Sequence, residues 1–163
     1  MQILESIYFG KYQFEAAITL RNSLLIGSML CNSEAWYNVT ITELEELEKI
    51  DEKYIRKFLM APYGTPKVML YLECGLLPIR FIIQSRRLNF LQYILKEEKS
   101  SLINQFLQAQ LMSPTSGDWG SLVKKDISDL EMNITLKEIE DMSKGAFKKL
   151  VKDKVKKKCT QIS

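Results

Sequence analysis

Apolar residues recur along most of this chain at intervals of three or four positions, which is the spacing of one face of an α-helix. Short clusters rich in Gly, Pro, Ser and Thr separate these stretches, and such residues end helices or form loops. Because no stretch shows strand-like alternation, the pattern predicts an all-α fold, an irregular bundle of about seven to nine helices joined by short Gly/Pro loops. Helices are expected at Ile3–Tyr8, Phe14–Leu30, Thr40–Leu59, Pro66–Glu73, Pro78–Glu97, Leu102–Leu111, Trp119–Ile127, Leu136–Met142 and after Ser143.

Capping residues indicate where several of these helices begin. Thr40 or Thr42 can cap a helix whose first turns are acidic and whose last turns, before Leu59, are basic. That order of charges is favoured by the helix dipole. Thr65 is predicted to cap the next helix, with Pro66 in its first helical position. Further caps are expected at Asp118, Thr135 and Ser143.

The absence of histidine from all 163 residues excludes several kinds of active site. A Ser-His-Asp triad, a Cys-His pair, a Cys/His zinc site and a histidine general base all need that residue. Glycine-rich phosphate loops of the GxGxxG, GxxxxGKS or GxxxxGKT type are missing too. We therefore expect a chain that is not an enzyme, with no cofactor and no metal site.

Cysteine usage and the N-terminal sequence bear on the compartment. Cys31, Cys74 and Cys159 are dispersed and odd in number, which is typical of reduced thiols. The chain begins without the basic segment of a secretory signal, and no apolar run approaches the roughly 20 residues of a membrane span. We expect an intracellular protein, cytoplasmic or nuclear, that does not enter a membrane.

The net charge of +3 conceals an uneven distribution. Residues 144–158 hold eight Lys and one Asp, whereas the rest of the chain holds 15 basic and 19 acidic residues. This contrast divides the sequence into a helical domain, residues 1–142, and a basic C-terminal helix and tail, residues 143–163. The basic helix can bind phosphates, serve as a nuclear-import patch or simply keep the chain soluble. Its candidate phosphate contacts are Lys148, Lys149, Lys152, Lys156 and Lys157.

Two clusters inside the helical domain also have alternative interpretations. Glu45, Glu48 and Glu52 share one helix face, which permits metal binding, but a solvated acidic helix start is the more ordinary explanation. Arg80 and Arg87 share a face with Gln84, and Arg86 lies at its edge. Such a row can follow a phosphate backbone or pair with carboxylates of a neighbouring helix, and the sequence does not choose between these.

An aromatic pair, Trp36 and Tyr37, can stack on nucleic-acid bases or pack a helix end, and we favour the core for Trp36. The surrounding motif, Asn-Ser-Glu-Ala-Trp-Tyr, resembles a Tyr/Asn-Gly/Ser-Ser-Glu-x-Trp pattern that follows the polymerase palm in reverse transcriptases of non-LTR, LINE-like retrotransposons. Further similar segments follow in the same order over about 10–158, and their succession is more specific than any one of them. They are Leu44–Asp51, Ile55–Leu59, Thr65–Lys67, Leu70–Arg80, Arg86–Leu91 and Gly117–Trp119.

The resemblance implies the thumb and connector of a reverse transcriptase, regions that hold template and primer without catalysing the reaction. Basic positions of the family pattern correspond here to Arg56, Lys57, Arg80, Arg86 and Arg87. The palm signature, an aromatic-x-Asp-Asp motif, is absent, since no Asp-Asp pair occurs anywhere. An endonuclease is absent too, so polymerase activity is not expected, and the chain looks like a truncated or relic open reading frame.

Three functional interpretations follow from the sequence. In the first, the chain is a non-catalytic reverse-transcriptase fragment with weak, salt-dependent and sequence-independent binding of RNA or DNA. In the second, it is a helical protein–protein interaction module whose arginine face meets acidic partners, and in the third a relic without a selected function. A severed parent domain would leave an exposed apolar surface for a protein partner near the N-terminus. The residues expected there are Ile3, Leu4, Ile7, Tyr8 and Phe9.

Overall fold

Helices make up nearly all of the regular structure in the computed structural model, which describes residues 13–113, 115 and 117–161. Within these residues there are eight helices and no strands, which confirms the predicted all-α class. A 3-10 turn, Ser33–Ala35, follows the first helix. The predicted helix Ile3–Tyr8 and the predicted apolar surface lie outside the described residues. The helices are α1 (13–29), α2 (Ile41–Leu59), α3 (Lys67–Glu73), α4 (Ile79–Lys96), α5 (Leu102–Met112), α6 (Trp119–Asp129), α7 (Leu136–Asp141) and α8 (Lys144–Gln161).

Most of the predicted N-caps are confirmed by side-chain hydrogen bonds. At α2 the Thr40 hydroxyl accepts from the Glu43 amide at 3.2 Å, and the Glu43 carboxylate accepts from the Thr40 amide at 2.8 Å. This capping box selects Thr40 over Thr42. Thr135 forms the same box at α7, and Asp118 caps α6. The Ser143 hydroxyl accepts from the Ala146 amide at the start of α8.

The predicted cap at Thr65 is wrong. Pro66 is itself the N-cap of α3, and the helix begins at Lys67 without a side-chain cap. The carbonyl of Thr65 accepts a hydrogen bond of 2.6 Å from Arg56 Nη2, so this residue is part of a loop fixed to the end of α2.

Three helices end in the left-handed conformation, at Met60 after α2, Gly75 after α3 and Glu131 after α6. Gly75 follows α3 with φ +61°, and the Leu76 amide bonds back to the Tyr71 carbonyl at 2.9 Å, as in a Schellman motif. Met60 has the corresponding position after α2, with φ 50°. Residues other than Gly rarely adopt this conformation, so α2 ends with some backbone strain at Met60.

Helix α1 contains a π-helical turn, Arg21–Leu25, in which the Ile26 amide bonds to the Arg21 carbonyl five residues earlier. The wider turn changes which residues face the interior. Arg21, Ile26 and Leu30 are buried, whereas Leu24, which the helical spacing places on the apolar face, is 62% exposed. The apolar spacing alone therefore assigns Leu24 to the wrong side.

Helix α4 lies at the centre of the packing. It contacts the 3-10 turn and helices α2, α5, α6, α7 and α8. Other elements cover most sides of α4, so the helix does not have a single apolar face opposite a solvated polar face. Even its polar residues Arg87 and Gln92 are buried.

The largest apolar cluster joins α4 to α5–α8. Phe147, Val151 and Val155 bring α8 into this cluster, so the basic helix packs against the same core as its neighbours. Two smaller clusters join α1 to the start of α4, and α2 to α3. Among the described helices, none is both long and apolar enough to cross a membrane.

Candidate nucleic-acid interface

Arg80 is bound to a buried carboxylate. Its Nε and Nη2 donate to the two oxygens of Glu48 at 2.7 and 2.9 Å, and Lys67 Nζ donates to the same carboxylate at 2.6 Å. Glu48 is 1% exposed, so the expected solvated acidic face is wrong at this position. Burial raises the pKa of Glu48, but the hydrogen bonds and charges of Arg80 and Lys67 lower it by a larger amount. The net result is a pKa below the ordinary value of a glutamate.

A second buried ion pair was not foreseen from the sequence. Arg21 donates to both oxygens of Asp51, from Nε at 2.7 Å and from Nη2 at 2.5 Å, and the Tyr71 hydroxyl donates to Asp51 at 3.0 Å. Burial first, and then the charge of Asp51, raise the pKa of Tyr71. The position of Asp51 in the sequence could have indicated this ion pair. Asp51 lies on the inward-facing stripe of α2 between Leu47 and Ile55, where a charged side chain needs a partner.

Arg87 pairs with Asp126 of α6 through a 2.7 Å contact from Nη1, and both side chains are less than a tenth exposed. Burial raises the pKa of Asp126 although the charge of Arg87 opposes the shift. Arg80, Gln84 and Arg87 do share one side of α4, as the spacing predicts. That side lines a cavity of about 200 Å³ with the start of α2 and with α6.

The remaining predicted arginines hold backbone segments in place. Arg86 donates to the Leu30 carbonyl at the end of α1 and, at 3.2 Å, to the hydroxyl of Ser33 in the 3-10 turn. Arg56 pairs with Glu52 and donates to two carbonyls of the loop after α2. Thus Arg56, Arg80, Arg86 and Arg87 each have partners inside the protein, while Lys57 is exposed.

Five exposed lysines of α8, between positions 148 and 157, have neither an ion-pair nor a hydrogen-bond partner among the described residues. We call them the lysine ridge. They lie away from the buried stripe of Phe147, Val151 and Val155 and extend for about 14 Å along the helix axis. Lys154 and Lys158 are different, because both bind Glu131. The lysine ridge consists of Lys148, Lys149, Lys152, Lys156 and Lys157.

The aromatic pair divides between core and surface. Trp36 packs against the cluster formed by α1 and the start of α4, as expected, and Tyr37 is exposed. The motif around them is fixed by Arg86 and by Trp119, whose indole nitrogen donates to the Glu34 carbonyl at 2.8 Å. These contacts give the motif a structural role in the packing of the 3-10 turn.

Within the described part of the chain, no group of three or more Asp, Glu or Cys side chains is arranged to hold a metal ion. The acidic residues of α2 have other roles: Glu43 caps the helix, Glu48 and Asp51 form buried ion pairs, and Glu45 faces solvent.

Comparisons with known protein families, with curated proteins and with solved structures give no match to this chain. The likeness to a reverse-transcriptase thumb therefore stays a hypothesis based on the succession of sequence motifs.

Proposed function

We propose that this chain is a non-catalytic helical module, related to the reverse-transcriptase thumb and connector, that binds RNA or DNA backbone without sequence preference. The lysine ridge of α8 carries the proposal, because its five positive charges face solvent without a partner. Charges of this kind can replace counterions along a phosphate backbone, which makes the binding weak at high salt. The motif succession supports the relationship to the retroelement family.

The arginines have less freedom to bind phosphates. If Arg80 turned toward a nucleic acid, the buried carboxylate of Glu48 would lose its bidentate partner and keep only Lys67. Removal of one partner from a buried ion pair is destabilising. We therefore assign Arg56, Arg80, Arg86 and Arg87 to the framework, and the affinity to the lysine ridge with Lys57 as a further exposed cation. The same pairing weakens the case for an arginine surface that meets acidic protein partners.

The salt dependence of binding tests this assignment. Each lysine that neutralises a phosphate of duplex DNA adds about −0.9 to the slope of log K against log salt, so five contacts give about −4.5. A fourfold rise in salt would then weaken binding by about 500-fold. Fluorescence anisotropy with labelled duplexes and single strands of unrelated sequence measures this slope directly.

Two triple variants separate the ridge from overall charge. Lys149, Lys152 and Lys156 are replaced by Gln in one, and the exposed Lys53, Lys99 and Lys137 in the other. Both changes lower the net charge by the same amount. We expect the ridge variant to lose about 2 to 3 units of slope and the control to stay near the parent. Equal losses in both variants, or no binding by the parent at low salt, would overturn the proposal.

A further inference from the structure

A cavity of about 200 Å³ lies between α2, α3, the start of α4 and the end of α8. Among the described residues, the charged members of its lining are Glu48, Lys67 and Arg80. The side chain of Glu48 is 1% exposed, whereas those of Lys67 and Arg80 are 36% and 48% exposed. Two cations therefore meet one buried carboxylate, and the lining has one positive charge in excess. The other lining residues are Val68, Tyr71, Pro78, Phe81 and Cys159.

Both cations keep hydrogen-bond donors that Glu48 does not use. Arg80 binds Glu48 through Nε and Nη2, and its Nη1 has no partner among the described residues. Lys67 Nζ can donate three hydrogen bonds and makes one, also to Glu48. An anion can thus bind both side chains while they stay on Glu48. The buried carboxylate holds the two cations close together, so little ordering is left for the ligand to impose.

We propose that this cavity binds a small organic monocarboxylate, with its carboxylate on Arg80 Nη1 and Lys67 Nζ and its apolar body inside. Hydrogen bonds between charged groups are about twice as strong as those between neutral ones. The body of the ligand would contact Val68, Pro78 and Phe81. Apolar walls with a small number of placed polar groups are the usual composition of a ligand pocket.

Size and charge define the ligand further. An apolar cavity of about 150 Å³ accommodates benzene, so this one fits a single ring that bears a carboxylate. One negative charge balances the excess charge of the lining, whereas a phosphate monoester brings about −1.5 to −2 at neutral pH. Burial raises the pKa of Tyr71 and of Cys159, so both remain neutral. Glu45 also acts on Arg80, but it faces water outside the lining, where its charge is screened.

Alkylation of Cys159 reports occupancy of the cavity in the parent chain, because a bound ligand covers this lining residue. Labelling by iodoacetamide is followed by peptide mass spectrometry at increasing benzoate, with chloride added to keep the ionic strength constant. We expect the labelling of Cys159 to slow to a plateau, while that of the exposed Cys31 does not change. Benzamide has the same shape without the charge, and we expect it to bind about tenfold more weakly or worse.

Two substitutions of lysine separate the cavity from overall charge. Lys67→Met removes one of the two cations and is expected to weaken benzoate binding by about tenfold. Lys137→Met makes the same change at an exposed position of α7 and is expected to leave the binding unchanged. Val68→Phe fills the apolar part of the cavity and is expected to abolish binding. Circular dichroism confirms that each variant is folded.

The proposal is overturned if benzoate leaves the labelling of Cys159 unchanged, or if benzamide protects this residue equally well. Better protection by phenyl phosphate would overturn the choice of a carboxylate. Equal weakening by Lys67→Met and Lys137→Met would do the same for the site. The comparison of the three ligands uses the parent chain, so it decides the question even if Lys67→Met fails to fold. Because no nucleic acid is present, the result is independent of the lysine ridge.

Discussion

Glu48 receives two cations from different helices, Lys67 from α3 and Arg80 from α4. Because a buried carboxylate must be neutralised, these contacts fix three helices relative to one another. From the sequence, Arg80 could bind either a phosphate or the carboxylate of a neighbouring helix. Its actual partner depends on which acidic residue of α2 faces inward, and the packing of α2 against α4 determines that residue.

The charge of Glu48 should make stability depend on acid pH. Its pKa in the folded protein is lowered from 4.5, so its stabilising contribution is complete above that value and is lost as the pH falls through the lower folded pKa. At neutral pH we expect Glu48→Gln to reduce the free energy of unfolding by about 1.5 to 3 kcal/mol, because the partly exposed Arg80 and Lys67 lose a charged hydrogen-bond partner. The deficit should shrink below about pH 4.5. Urea unfolding at a series of pH values measures it.

Glu46→Gln is the matched control, since Glu46 pairs with Lys49 on the exposed side of the same helix. Surface pairs contribute little, so its effect is expected to stay within about 0.5 kcal/mol. A Glu48→Gln deficit that is no larger than this, or that stays constant into acid, would contradict the assigned role of the buried carboxylate.

At the scale of elements, helix starts were more predictable than helix ends and interior register. The capping boxes of Thr40 and Thr135 involve residues three positions apart, so their residue types alone identify them. The π-helical turn at Arg21 has no comparable local signature. It is stabilised by an ion pair with Asp51, a residue thirty positions away. Likewise, Met60 ends α2 in a conformation for which Gly would be expected.

Replacement of Thr40 tests the start of α2. Thr40→Ala removes the hydroxyl that accepts from the Glu43 amide, and we expect a loss of about 1 kcal/mol in unfolding free energy. Thr42→Ala alters an exposed residue without a capping bond and should change stability by less than about 0.5 kcal/mol. Chemical denaturation gives both values, and hydrogen exchange at the Glu43 amide should accelerate in Thr40→Ala alone. Similar losses in the two variants would refute the cap assignment.

At the scale of the whole described fold, α4 lies at the centre, and helices from distant segments of the chain pack against it. The concentration of lysine in α8 could be read from the sequence, and the spacing of Phe147, Val151 and Val155 is that of one helix face. The partners of the arginines could not be predicted from the sequence, because they are residues of other helices, as in the contact of Arg87 with Asp126. The solvent exposure of the α8 lysines could therefore be predicted, whereas the partners of the arginines could not, because tertiary packing uses their charge.

Loss of the α8 anchor should weaken the entire described fold. Phe147 is fully buried in the main cluster, and Phe147→Ala is expected to cost about 3 to 5 kcal/mol. Lys148→Ala, its exposed neighbour, should stay within about 0.5 kcal/mol. Circular dichroism and the fluorescence of Trp36 and Trp119, which lie in different clusters, should report the same transition. Separate transitions, or an unchanged stability, would show that α8 is not integral to the core.

The contact between Arg21 and Asp51 also constrains how this sequence can change over generations. Loss of either side chain alone leaves an unpaired charge in the interior, whereas an apolar pair of similar volume leaves no unpaired charge and removes only the acceptor of the Tyr71 hydroxyl. Selection for a folded chain should therefore retain the two positions together or exchange them together. In a library randomised at both sites, functional survivors should be strongly correlated between the two positions, although they lie thirty residues apart.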